Sequence, residues 1–399
     1  MLRFRVREHR CDSCAVQDCD AELPISLSSL TQNGLNVLHV IDSLGLGGAQ
    51  VLVRSVLSFS KDNRIGLFVL RQTSPTVPIQ NARHYTYASK SKYSIGPLFA
   101  LLRLIRNDDV SIIHVHLWRS LVYVIAAAII SRKKVPIVYH EHGQICGNDV
   151  LGIIGRSAYR LTIHVACMYG VRFIAVSNFV RRSLIQLRSA LSEQTVVIRN
   201  CSPELTDVQE KCLEASRRQR DHAAFTFGFA GRIEKYKGWR EFITAARYLK
   251  GNPNVRFIVA GTGSEQLELE SMIATNDLKN VRFVGYASDM TVDFYAQIDC
   301  LVVPSHIEPL GLMPLEGFRH SVPVIASNIP GLNELVNHEE TGLLFQAKSV
   351  EGLLEAMNIM CRDFAARERF KTNGALFVEN LGIDQYLRQL QTVYDGLGR

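Results

Sequence analysis

The sequence predicts an α/β protein built from two Rossmann-like domains that face each other across a cleft. Its 399 residues suffice for two or three domains at about 100–200 residues each, and 47% of them are apolar, enough to fill real cores. Short apolar runs rich in β-branched and aromatic residues alternate with longer helical patterns, the signature of parallel sheets wrapped by helices, and this alternation happens twice. A polar, charge-rich stretch without a strand pattern, CSPELTDVQEKCLEASRRQRDHAA (201–224), separates the two series.

The first series is NVLHVI (36–41), RIGLFVL (64–70), SIIHVH (111–116), VPIVYHEH (135–142), FIAVS (173–177) and TVVIRN (195–200), which places a first domain at 35–200. Within it, LVYVIAAAII (121–130) is about half the roughly 20 residues that a membrane-spanning helix needs and runs straight into SRKK, so a buried helix is expected. The second series is FTFGFAG (225–231), VRFIVAG (255–261), VRFVGY (281–286), CLVVPS (300–305), VPVIAS (322–327) and GLLF (342–345), which places a second domain at 225–380 and leaves 201–224 as the linker. GIDQYLRQLQTVYDGLG (382–398) carries Leu387, Leu390, Val393 and Tyr394 on roughly one helical face, so 381–399 is a terminal helix. Residues 1–34 fit neither series and are expected to be a disordered extension. Cys11, Cys14 and Cys19 with His9 lack the second pair that a zinc site needs, and Asp18-Cys19-Asp20 has no strand ahead of it to make it a metal–nucleotide motif.

The net charge of +7 is unevenly divided, with 24 Lys+Arg against 12 Asp+Glu in residues 1–200 and 21 against 26 in 201–399. Residues 34–200 alone carry 20 against 7. Such a basic half suits an anionic partner. No aromatic-interleaved RNA signature, helix-turn-helix or complete zinc-finger spacing is present, so nucleic acid is set aside and an anionic membrane surface is expected. Arg103, Arg106, Arg119, Arg132, Lys133 and Lys134, around the apolar helix, are its candidate contacts. The nine cysteines are odd in number and scattered, and no signal-peptide pattern opens the chain, which predicts a cytoplasmic protein, peripheral on the cytoplasmic face of the membrane.

SHIEPLGLMPLEGF (305–318) sets Glu308 and Glu316 eight positions apart after CLVVPS, a buried parallel strand by pattern. The loop therefore lies at a strand's carboxyl end, where open α/β sheets bind ligands. Pro309 and Gly311 break any helix between the glutamates, and LMPLEGFRH can begin a new one with Pro314 in its first turn, whose backbone N–H groups favour an anion, usually phosphate. Alone, the two carboxylates read as a solvated loop residue and a helix-start residue, and nothing in their setting requires the geometry of a glycosidase pair. GRIEKYKG (231–238) adds Arg232 and Lys237 at the carboxyl end of another strand, a fork and a mobile point charge suited to a diphosphate. GLGGAQ (45–50) follows a strand, but Gln50 stands where a dinucleotide fingerprint needs its third glycine, which argues against a dehydrogenase.

These motifs, in this order, resemble the retaining nucleotide-sugar glycosyltransferases of the two-domain GT-B fold, in the group marked by E-x7-E (family 4, group 1). Glu308 and Glu316 match that spacing. The likeness runs on through VRFIVAGTGSE (255–265), VRFVGY, LVVPSHIEPLGLMPLEG, VPVIASNIPGLNELV (322–336) and TGLLF, and in the first half through GLGGAQ, IIHVH, HEHG and FIAVS, covering about 35–395. Three positions depart from the pattern: Leu310 where an aromatic is common, Gly317 where Ala is, and Ser321 where Gly is.

The resemblance implies that Glu316 accepts hydrogen bonds from the donor ribose and that Glu308 faces the transferred sugar. The stretch Pro309, Leu310, Gly311 and Leu312 contacts sugar and diphosphate through its backbone. Arg232 and Lys237 neutralise the departing diphosphate, Gly47 and Gly48 let the first-domain loop approach it, and His142 contacts the sugar near the reacting carbon. The terminal helix crosses back to the first domain. The implied enzyme uses no cofactor and no metal and moves a hexose from an NDP-sugar, UDP favoured, to a hydroxyl of a growing, lipid-linked glycan in cell-surface lipopolysaccharide or exopolysaccharide biosynthesis. A nucleotide-sugar epimerase of the same architecture would need an acid/base carboxylate set that is not found. A non-catalytic nucleotide- or glycan-binding subunit would have lost Glu308, Glu316, Arg232 or Lys237.

Overall fold

The computed structural model describes residues 36–45, 47–59, 65–71, 83–86, 94–107, 109–143, 148–202, 205–219, 224–287 and 289–397; the extension 1–34, with Cys11, Cys14, Cys19 and the Asp18–Asp20 triplet, lies outside the described residues. Thirteen strands are described: β1 Val37–Ile41, β2 Ile65–Val69, β3 Arg83–Thr86, β4 Ile112–His116, β5 Ile137–Glu141, β6 Arg172–Ala175, β7 Thr195–Val197, β8 Phe225–Ala230, β9 Val255–Ala260, β10 Val281–Gly285, β11 Cys300–Val303, β12 Val324–Ser327 and β13 Gly342–Phe345. They form two sheets, ordered β3-β2-β1-β4-β5-β6-β7 and β10-β9-β8-β11-β12-β13, and every pairing is parallel.

The helices are α1 Gly48–Phe59, α2 Gly96–Asn107, α3 Trp118–Ser131, α4 Asn148–Tyr169 (interrupted at Gly152), α5 Asn178–Leu187, α6 Leu191–Gln194 and α7 Asp207–Gln219, followed by α8 Trp239–Tyr248, α9 Gln266–Thr275, α10 Met290–Asp293, α11 Met313–Arg319, α12 Val350–Arg362, α13 Phe364–Glu379 and α14 Ile383–Asp395.

All six apolar runs of the second series are strands. The first sheet has one more than its apolar runs announce: β3 (Arg-His-Tyr-Thr) contains no aliphatic residue and lies at the sheet edge, where only β2 pairs with it. The span 201–224 contains α7, with Asp207 and Glu210 in its first turn and Arg217 and Arg218 in its last, the charge order that complements the helix dipole.

Period-two alternation divides the first sheet between two layers. Leu38, Val40, Ile113 and Val115 pack against Leu101 and Ile105 of α2 and Leu121 and Val124 of α3. On the other face Val37, Ile112, Val138 and Ile174 meet Leu52 and Val56 of α1 together with Ile383, Tyr386, Leu387 and Leu390 of α14. The last helix of the chain thus closes the core of the first sheet. In the second sheet Phe227, Phe229 and Phe257 pack on Trp239 and Phe242 of α8 and on Met357 and Met360 of α12. The 121–130 run is helical, as expected, with Leu121, Val124, Ile125, Ala127 and Ala128 buried and Val122, Ile129 and Ile130 exposed.

α11 ends in a Schellman turn: Ser321 N–H donates to Phe318 O at 3.0 Å and Val322 N–H to Gly317 O at 2.8 Å. Ser321 therefore occupies the left-handed region, at φ 52°, which explains why glycine is common there in similar sequences. A left-handed non-glycine residue costs about 1–2 kcal/mol, and glycine's looser unfolded chain returns about 0.4–1 kcal/mol of that. Ser321→Gly is accordingly expected to stabilise the protein by about 0.5–1 kcal/mol in urea unfolding. An unchanged or lower midpoint contradicts this account of the turn.

Candidate active site

After β11 the chain turns at Pro304 and runs through the 305–312 loop into α11. The GRIEKYKG loop, after β8, lies directly on it. Gly238 makes that approach possible: at φ 73° it sits so close to Pro304 O that any Cβ would overlap the carbonyl. His306 N–H donates to Tyr236 O at 2.8 Å, tying the two loops together, and the His306 ring lies 2.8 Å from Glu241 Oε1 in the first turn of α8. The consequence is an ion pair. Lys237, in the single 3₁₀ turn Lys235–Lys237, places Nζ 2.5 Å from Glu308 Oε2, with both side chains largely buried. Arg232 is exposed, its guanidinium 5.5 Å from the Tyr236 ring centroid, and Lys237 Nζ lies 5.7 Å from the same ring.

Glu316 sits one turn into α11, with Pro314 in the first turn and Leu312 at the N-cap, where no side chain caps the free N–H groups. The Tyr295 hydroxyl donates to Glu316 Oε2 at 2.8 Å. Burial pushes the Glu316 carboxyl above the usual range and this hydrogen bond opposes the shift. Burial, followed by the neighbouring carboxylate, pushes the Tyr295 phenol well up, so it remains a donor.

The first sheet presents its carboxyl ends to the same loop. Gly143, after β5 and at φ 104°, abuts the Pro309 ring so closely that a Cβ would overlap it. Ser177, after β6, donates Oγ–H to Pro309 O at 2.5 Å while accepting from Val180 N–H at the start of α5. Glu334 crosses from the second sheet to accept from Asn178 N–H at 2.9 Å and Phe179 N–H at 2.8 Å, capping α5 from the opposite side of the cleft. Gly48, at the start of α1, faces Leu312, whose Cδ1 would lie 3.3 Å from a Cβ there; beside Gly47 lies Gln50, and Leu310 points into the core. The structure thus sets Lys237 against Glu308 and Gly48 against Leu312 on the 305–312 loop, with Glu316 one turn into the helix that follows it and Arg232 exposed beside Tyr236.

His142 follows β5 and is half-buried; burial pushes its imidazole down to about 3, so the ring is neutral. Its Nε2 lies 3.1 Å from His116 Nδ1. A cation pair, an uncapped helix start and two carboxylates around one loop can hold a polyanion by its charge and hydroxyl groups by their protons.

Two family models cover most of the chain: Glycosyl transferases group 1 over residues 214–377 and Glycosyltransferase Family 4 over residues 47–201. The chain belongs to the group 1, family 4 glycosyltransferases. Among its relatives, an uncharacterized glycosyltransferase of Methanocaldococcus jannaschii is 24% identical over 88% of this chain and 95% of its own length. The lipopolysaccharide core biosynthesis mannosyltransferase LpsB of Rhizobium meliloti is 32% identical over 45% of this chain and 54% of its own. Among solved structures, Anabaena Alr3699/HepE in complex with UDP and glucose superposes with a TM-score of 0.78 at 20% identity, over 90% of this chain and 99% of that one, a likeness of fold.

In this glycosyltransferase the sequence reading missed Tyr295, Ser177 and Glu334, which hold Glu316 and the two halves of the cleft. No spacing marks Tyr295 or Glu334, because their partners come from other elements; Ser177, closing the strand-end run FIAVS, was visible as a loop hydroxyl. His116 was signalled more directly, since H-x-H occurs in both IIHVH and HEH and period two puts both pairs on one face. Arg119, a candidate membrane contact, keeps over a third of its side chain exposed while donating to Asp42 Oδ2 at 3.3 Å, where Arg71 also binds the carboxylate.

Proposed function

We propose that this glycosyltransferase moves a hexose, with retention of configuration, from a UDP-sugar to a hydroxyl of a growing, lipid-linked glycan in cell-surface polysaccharide biosynthesis. The observation that carries the donor site is the Lys237–Glu308 ion pair beside the uncapped start of α11. A lone buried pair of this kind gains little for stability, but here the cation stands where a leaving diphosphate would accumulate charge. UDP is favoured as nucleotide because HepE was crystallised with UDP and with UDP-glucose. LpsB and the capsular polysaccharide biosynthesis glycosyltransferase CapM of Staphylococcus aureus, 27% identical over 58% of this chain, support the pathway class.

In this reading residues 35–200 form the acceptor domain and 225–380 the donor domain. Glu316 accepts from the ribose hydroxyls with Tyr295 fixing its carboxylate. Arg232, Lys237 and the amides at the start of α11 take the diphosphate charge as it develops, without a metal ion. Lys237 is shared between Glu308 and the phosphate, so departure of the diphosphate frees Glu308 to stabilise the positive character of the sugar. His142, neutral, contributes a hydrogen bond on the first-domain side. The incoming hydroxyl attacks from the face that the diphosphate leaves, and the leaving phosphate takes its proton.

The acceptor side fits an anionic membrane surface. Arg103, Arg106, Arg132, Lys133 and Lys134 are exposed, and Arg106 reaches Ile130 O at 3.3 Å, which brings the end of α2 to the end of α3 where Ile129 and Ile130 are also exposed. Among the described residues no helix is long and apolar enough to cross a membrane. Each basic residue near an anionic surface contributes about 1 kcal/mol, so this set suffices for reversible attachment.

Turnover, nucleotide affinity and liposome flotation test the reading. With a UDP-hexose and a lipid-linked acceptor in EDTA buffer, Glu308→Gln is expected to cut turnover at least about tenfold with nucleotide affinity nearly unchanged. Glu316→Ala should chiefly weaken nucleotide binding, and in the wild type that affinity should fall as the pH drops through the raised Glu316 pKa, because the protonated acid loses an acceptor. Equal, small effects from both variants, or loss of turnover in EDTA restored by Mg²⁺ or Mn²⁺, contradict the donor site. In liposome flotation, binding should rise with anionic lipid, fall in high salt and weaken on neutralising Arg132, Lys133 and Lys134. A protein that ignores anionic liposomes at low salt has a different acceptor surface.

A further inference from the structure

Five histidines converge beneath the cleft on the side of the first sheet: His39 of β1, His114 and His116 of β4, and His140 and His142 at the end of β5. Register explains the convergence, since His39 pairs with His114 and His116 with His140 on adjacent parallel strands, and the two-residue repeat turns all five rings to one face. Their rings stack, with centroids 4.3 Å apart for His114–His116 and 4.2 Å for His140–His142. Four of them are buried and only His142 reaches the cleft. Burial pushes every imidazole below its ordinary pKa, and a neutral ring carries one nitrogen lone pair beside its one N–H.

Imidazole stacking does not account for this arrangement by itself. His140 Nε2 and His114 Nε2 are buried without a hydrogen-bond partner, an expensive state for a polar nitrogen. His116, His140 and His142 each bring one ring nitrogen within 4.8 Å of the others. His116 Nδ1 and His142 Nε2 are 3.1 Å apart, close to the roughly 3.3 Å that a tetrahedral ion at about 2.0–2.1 Å imposes on neighbouring ligand nitrogens. The opposite nitrogens have the outer partners that metal-bound imidazoles use: His116 Nε2 lies 3.1 Å from His39 Nδ1, and His140 Nδ1 lies 3.5 Å from the Tyr386 hydroxyl of α14. Either partner can donate in each contact, so both are compatible with the tautomers that leave His116 Nδ1 and His140 Nε2 as lone pairs once an ion binds. A second possible triad, His39, His114 and His116, shares His116 but is entirely buried, whereas His142 provides a path from the cleft.

We propose that His116, His140 and His142 form a site for one divalent transition-metal ion, zinc by the chemistry of three neutral imidazoles, at the carboxyl ends of β4 and β5. The fourth position faces the cleft. This ion is separate from the diphosphate site, which lies on the second sheet, and the proposal does not depend on the identity of the donor. Hard ions such as Mg²⁺ are poor matches for an all-imidazole set.

The test uses the full chain without a polyhistidine tag, stripped of metal and titrated with Co²⁺ and then Zn²⁺. One equivalent of Co²⁺ should bind with visible absorption of four-coordinate intensity and be displaced by Zn²⁺. X-ray absorption of the zinc form should give a nitrogen shell at about 2.0–2.1 Å with imidazole scattering and no sulfur at about 2.3 Å. His140→Asn, checked for folding by circular dichroism, should lower the affinity at least tenfold. The wild-type absorption spectrum decides the matter even where a variant does not fold. A sulfur shell would move the ion to cysteines such as Cys11, Cys14 and Cys19 and overturn the proposal. So would failure of the wild type to bind either ion below millimolar concentration, or affinity unchanged in a folded His140→Asn.

Discussion

The contact between Gly238 and Pro304 O is the constraint on which the donor half of the cleft depends. Two parallel strands, β8 and β11, end side by side, and their following loops can share one wall only if one backbone passes against the other without a side chain between them. Glycine at φ 73° permits this, and Lys237 immediately before it is thereby aimed at Glu308. A larger residue would push the 231–238 loop outward and separate the cation from the carboxylate. Gly143 meets Pro309 in the same way from the first sheet, so the 304–312 loop is clamped from both sides.

This clamp couples fold to chemistry. Ser177 and Glu334 spend their hydrogen-bonding capacity across the cleft, one holding a carbonyl of the 309–312 stretch and the other capping α5. α14 adds a second tie, since it follows the second sheet in sequence yet completes the core of the first. The site is therefore supported by elements from both halves, while the charged groups that would meet a ligand remain few and specific.

The two-sheet architecture was legible because parallel strands buried on both faces read as continuous apolar runs, and all six runs of the second series became strands. β3 was not, because an edge strand needs little apolar surface and RHYT offers only Tyr85. Within the candidate site, the position of Glu308, Glu316 and Lys237 after strand ends was legible because each follows a recognisable strand at short range, while their roles came only from the family resemblance. Tyr295 and Glu334 were not: each acts on a residue far away in sequence, 21 positions in the first case and 156 in the second, and such pairings are decided by packing. The histidine face lay between these extremes, with its spacing visible in each strand and its convergence dependent on register. Arg119, named for its place beside the 121–130 helix, is the residue of that basic set whose side chain also pairs with Asp42, a partner that sequence position does not reveal.

The central claim is that the loops after β8 and β11 form a diphosphate site for a uridine nucleotide, and a thermal-shift comparison of UDP, GDP, ADP and dTDP tests it most directly. A ligand at about 100 times its dissociation constant stabilises the native state by roughly 2.7 kcal/mol, so UDP should raise the melting temperature clearly above the other three. The shift should largely vanish in Lys237→Ala. No stabilisation by any of the four nucleotides, a clear preference for another base, or a UDP shift that survives loss of Lys237 would contradict the account.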